Sequence, residues 1–189
     1  MTVGKINVKT AAMCGSLGIF TAVLSAYILG FIMPAFPELM EQYSADIEAL
    51  IKSSVTLLLY VLILAPIIEE ALFRYLIFNI IRKFLKDRWA IIIQAVLFGL
   101  YHGNIVQIIY AFLLGLLLGW IRAKTEHLLY CLIFHGLFNI TGVMLDNFAK
   151  TERTLYMSIL MPLLTFAASV YIVWSINRSY GGCDQQTDL

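Results

Sequence analysis

Apolar residues run in long blocks along this chain, and the polar breaks between blocks are short. Six blocks stand out, at residues 11–33, 54–81, 89–102, 105–121, 128–145 and 155–176. A helix crossing a bilayer needs about 20 predominantly apolar residues, and most of the blocks reach or approach that length. Helix is the expected form, because an open strand would leave backbone groups unpaired in lipid. The pattern therefore predicts an all-α fold, a polytopic membrane helix bundle of about six transmembrane helices. The third block is short for a span. The longest loop is expected at residues 34–53. No internal repeat or low-complexity tract is visible.

Composition fits this pattern: 61% of the residues are hydrophobic and 13% are charged, against about 45–50% and about 25% in soluble domains. A single integral membrane domain is expected over residues 1–189, with the lipid bilayer as its medium. The net charge of +1 carries no nucleic-acid footprint. Basic residues alternate along the chain. Lys5 and Lys9 precede the first block; Arg82, Lys83, Lys86 and Arg88 follow the second; Arg122 and Lys124 follow the fourth; Arg178 lies in the tail. The loop after the first block holds Glu38, Glu41, Asp46 and Glu48 against Lys52. The positive-inside rule then predicts a multi-pass protein of the cell membrane with both termini cytoplasmic. The first block is longer than a signal-peptide core and is read as a retained helix. Cys14, Cys131 and Cys183 show no metal or disulfide spacing. The first two are expected to pack against lipid or neighbouring helices, and Cys183 lies in a polar tail.

Against this apolar background Glu69, Glu70, Arg74, His102, His135 and Asn139 stand out. An ionisable group at membrane depth costs roughly 2.5–3.5 kcal/mol on insertion scales, so their retention points to use. Glu70 and Arg74 are four apart and share a helical face, whereas Glu69 and Arg74 are five apart and pair poorly. The spacing predicts a Glu70–Arg74 pair and leaves Glu69 free to act as a general base. The bland alternative is a structural ion-pair network. Pro66 removes a backbone donor one turn earlier and can kink the helix. His102 precedes Gly103-Asn104, a helix stop. His135 and Asn139 are four apart and could hold a developing oxyanion or serve as hydrogen-bond glue between helices. His127, beside Lys124 and Glu126, reads as an ordinary loop residue. Glu69, His102 and His135 are chemically suited to zinc, but no HExxH pair places two ligands on one helix. The expected cofactor is none, with zinc as the weaker alternative.

Glu69-Glu70-Ala-Leu-Phe-Arg74 fits EExxxR, Phe98-Gly-Leu-Tyr-His102 fits FxxxH, and His135-Gly-Leu-Phe-Asn139 fits HxxxN. In this order, on successive apolar blocks, they resemble the CPBP family, the CAAX-processing and bacteriocin-processing intramembrane proteases. The resemblance covers residues 69–139, the motif-bearing core. It implies that Glu69 and His102 activate water, that His135 and Asn139 form an oxyanion hole, that Glu70 and Arg74 support the site, and that no metal is required. The implied substrate is a membrane-associated peptide or protein, in a role such as bacteriocin immunity or peptide-signal processing. The opposing reading is a non-catalytic immunity or regulatory protein that binds a bacteriocin, receptor or sensor. On either reading a regulatory membrane protein is a candidate partner. A small transporter is weaker, since no inverted repeat is evident.

Overall fold

A computed structural model describes residues 6–32, 35–148 and 155–180. Lys5, most of the loop at 146–153 and Cys183 lie outside the described residues. Seven helices account for most of what is described: α1 (Val8–Ile32), α2 (Pro37–Ile51), α3 (Val55–Arg82), α4 (Asp87–Tyr101), α5 (Ile105–Thr125), α6 (Leu128–Phe148) and α7 (Leu155–Tyr180). The fold is an all-α polytopic membrane bundle.

Among the described residues, five helices are long and apolar enough to cross a membrane: α1, α3, α5, Leu128–Leu145 of α6 and Ile159–Tyr180 of α7. At 15 residues, α4 reaches only about 22 Å at 1.5 Å per residue, short of the roughly 30 Å hydrocarbon core. The expected six spans thus become five full spans and one short helix. The pattern of a lipid-facing helix is clear in α3, where Ile63, Ile67, Ile68, Leu72 and Leu76 are exposed while Pro66, Glu70, Phe73, Arg74 and Phe78 are buried. The helix is inverted relative to a soluble one, with its charge inside and its aliphatic side chains outside.

The expected loop at 34–53 contains a helix instead. In α2 the half-buried residues Tyr43, Ile47 and Leu50 recur at spacings of four and three, a helical stripe. Acidic residues occupy the remaining faces, which kept the segment below the apolar threshold of a span. Pro37 at its start suits a first helical turn, where no N–H is needed.

The second block is one helix, but it is not uniform. Two π-helical stretches, Tyr60–Leu64 and Ala71–Ile77, flank the α-helical Ala65–Glu70. The Ala65 N–H reaches back five residues to Tyr60 O, and Phe78 N–H to Phe73 O. Pro66 is absorbed just after the first of these wide turns. Such turns occur often at functional sites.

The core is built on close helix pairs. α4 and α5 approach through small residues: a Cβ at Gly115 would lie 2.9 Å from Ala95 Cα, and Gln94 Nε2 donates to Gly115 O at 2.7 Å. α1 meets α6 so closely that a side chain at Gly18 would collide with Phe134 O. Cys14 and Cys131 are buried against neighbouring helices, not turned to lipid. At one end of the bundle Arg82 grips Asp87 through two bonds (2.7 and 3.0 Å) and Glu126 through one (2.7 Å). Arg122 bonds the second oxygen of Glu126 at 2.8 Å. At the other end Asn104 Nδ2 donates to Asp46 Oδ2 at 3.0 Å.

Candidate active site

Four of the six singled-out residues form one buried cluster where α3 faces α6. Arg74 Nη1 lies 3.0 Å from Glu70 Oε1, with both side chains fully buried. The i,i+4 pairing expected from the sequence is present, although a π turn intervenes. The same Glu70 oxygen lies 2.8 Å from His135 Nδ1. A carboxylate oxygen only accepts, so Nδ1 carries the proton. His135 Nε2 then points toward Glu69 Oε2, at 3.6 Å, beyond hydrogen-bonding range. Glu69 is the more open of the two acids, with 13% of its side chain exposed against none for Glu70.

The Glu70–Arg74 contact is an ion pair without aligned hydrogen bonds. Glu70 Oε2 and the three guanidinium nitrogens of Arg74 lack a well-aligned hydrogen-bond partner among the described residues. Buried polar atoms left so are costly, and a helix contact serving packing alone would not collect four of them.

Phe98 is the hub that the sequence marked only as the start of FxxxH. Its ring lies 4.1 Å under the Arg74 guanidinium, a cation–π contact. It packs edge-on to Phe73 (5.1 Å), His102 (4.8 Å) and His135 (5.8 Å). His102 caps the end of α4, and Gly103 beyond it adopts φ 75°, the left-handed geometry that favours glycine. His102 Nδ1 lies 2.8 Å from Phe98 O. That carbonyl can only accept, so Nδ1 is the protonated nitrogen and Nε2 presents its lone pair.

Asn139 lies one turn beyond His135 on α6, half-buried. Between them Phe138 packs against Tyr110 of α5, ring centroids 6.3 Å apart. Tyr110 lies within electrostatic reach of Glu69 and shares a hydrogen bond with Tyr43 of α2. No motif signalled Tyr110; its place follows from the packing of α2, which the sequence reading left as loop.

Among the described residues, no group of three or more His, Cys, Asp or Glu side chains is placed to hold a metal ion.

The fold and the buried carboxylate–imidazole–guanidinium cluster define a polytopic membrane protein with a candidate hydrolytic centre. Residues 51–141 match the Rce1-like family model, described as type II CAAX prenyl endopeptidase Rce1-like. This match, which runs from the end of α2 into α6, supports a CPBP, CAAX-protease-like assignment. No curated protein and no solved structure matches it.

Proposed function

We propose that the chain is an intramembrane endopeptidase that hydrolyses a peptide bond of a membrane-associated peptide or protein. The observation that carries the reading is the shared Glu70 oxygen, which fixes Arg74 on one side and His135 on the other and leaves Glu69 as the less committed, more open acid. In this mechanism Glu69 takes a proton from a water oriented by the His102 Nε2 lone pair. The resulting hydroxide adds to the scissile carbonyl, and Glu69 returns the proton to the departing amine. His135 and Asn139 donate to the oxyanion. Because His135 Nδ1 already donates to Glu70, donation from Nε2 requires the doubly protonated ring, with Glu70 as its counter-ion. No metal takes part.

A substrate seat lies beside this group. A groove of about 370 Å³ runs between α3 and α6, lined among others by Ile63, Pro66, Ile67, Ile133, Gly136 and Ile140. Its α3 wall ends at Ile67, two residues before Glu69, and its α6 wall includes Gly136, between His135 and Asn139. Its apolar wall suits the hydrophobic flank of a membrane-bound substrate.

The test is cleavage of a membrane peptide by purified protein. Glu69→Gln is expected to abolish turnover with helicity unchanged, and exhaustive chelation is expected to leave the native rate intact. Native-rate cleavage by Glu69→Gln sinks the hydrolase reading and favours the non-catalytic binder. Activity lost on chelation and restored by zinc alone favours a metalloprotease. Comparing membrane peptides from cells carrying native protein or Glu69→Ala identifies the substrates, and with them any role in bacteriocin immunity or peptide-signal maturation.

A further inference from the structure

We infer that α2 is a gate over the candidate active site, latched at two points, and that it must swing aside for a peptide to reach Glu69. The inference rests on the peptidase reading for its purpose, but its geometry stands apart. Glu70, Arg74 and His135 are at most 3% exposed in their side chains and Glu69 is only 13% exposed, too little for a peptide backbone to lie against it without some element moving. α2 is the element most lightly held. None of its described side chains is fully buried, and only the stripe of Tyr43, Ile47 and Leu50 reaches even half-burial. Elements that open first are drawn from this weakly packed class.

Two attachments of its described residues lead to the site. Tyr43 packs edge-on against Tyr110 at 6.3 Å and shares a hydrogen bond with it. Tyr110 in turn touches Phe138 and lies within electrostatic reach of Glu69. The second attachment is Asp46 to Asn104. Asn104 belongs to the turn that closes on His102, its N–H donating to His102 O at 2.9 Å. One helix therefore rests on a tyrosine within electrostatic reach of the proposed base and on the turn that holds the proposed water-orienting histidine. The turn at Ser53 and Ser54, where Ser54 caps the start of α3, supplies the hinge.

The test reads access rather than catalysis. In a Glu69→Cys, Cys183→Ser background, labelling by a charged methanethiosulfonate reagent reports how often position 69 meets water. Adding Tyr43→Phe and Asp46→Ala should raise the labelling rate at least about tenfold, the scale of losing two ordinary hydrogen bonds, with helicity and thermal stability preserved. Tyr43→Phe alone, which keeps the ring, should move the rate in the same direction. An unchanged rate in a folded latch variant overturns the gate. So does labelling of the latched protein as fast as a fully exposed thiol. In protein with Glu69 intact, Asp46→Cys and Asn104→Cys joined by a short reducible bis-thiosulfonate linker should stop cleavage, and reduction should restore it. Cleavage at the unlinked rate counts against the gate. Labelling needs no turnover, so a failed peptidase assay leaves that arm informative.

Discussion

At the scale of single residues, the buried pair sets the terms of stability and the more open acid sets those of chemistry. Removing one partner of a buried ion pair leaves an uncompensated charge and typically costs about 3–5 kcal/mol. Arg74→Ala is therefore expected to lower both abundance and detergent-denaturation midpoint, and not activity alone. Arg74→Lys keeps the charge but loses the flat guanidinium that lies on Phe98, so it should fall between the two. His102→Ala and Asn139→Ala should separate in rate. The first removes a proposed base partner, worth about 10²–10⁴-fold. The second removes one oxyanion donor, worth about 10²–10³-fold, and should leave measurable cleavage of the same peptide. The Glu70–Arg74 pairing was legible in the sequence because a spacing of four is local. The Glu70–His135 bond was not, since 65 residues separate the partners and only the apposition of α3 and α6 joins them.

At the scale of elements, glycine positions separate a seat from a seam. A Cβ at Gly136 would meet nothing within 4 Å, although the groove lies beside it. Gly136→Leu is expected to fold normally and to raise KM for an apolar membrane peptide while largely sparing kcat. A Cβ at Gly115 would instead meet the Ala95 backbone, so Gly115→Leu should force α4 and α5 apart at about 1–3 kcal/mol, read as a lower unfolding midpoint. The membrane helices were legible because apolar length alone identifies them. α2 was not, because its apolar stripe is only three described side chains wide and its acids resemble a loop. The π turns were invisible for another reason: an i→i+5 bond leaves no trace in residue type.

At the scale of the whole molecule, contacts sort the connecting segments into two ends. Asp46 meets Asn104 at one end, while Arg82, Asp87, Arg122 and Glu126 meet at the other. The topology proposed from the loop charges puts these two ends on opposite sides of the membrane. Reporter fusions at Glu41 and Lys86 are accordingly expected on opposite sides of the membrane, with Lys86 cytoplasmic. Finding both on one side would undo the proposed topology. The four-residue network at the second end is partly exposed and includes Asp87 and Glu126 at 41% and 50% side-chain exposure. Its worth is orientation of α3, α4 and α5 more than bulk stability.

The wide turns on either side of Glu69 and Glu70 also make α3 sensitive to chain length in a lopsided way. Each holds one residue more than an α turn would, and each residue carries about 100° of rotation. Deleting Leu62 lets the outer turn tighten and rotates only Val55–Leu59, which holds no buried residue. Deleting Leu72 sets two anchors against each other: Glu70 bound to His135 above the gap, and Arg82 bound to Asp87 and Glu126 below it. Two losses of the same residue type should then diverge, the first giving an abundant protein and the second a depleted one. Length variation in relatives of this helix would accordingly be tolerated before the paired acids and excluded after them.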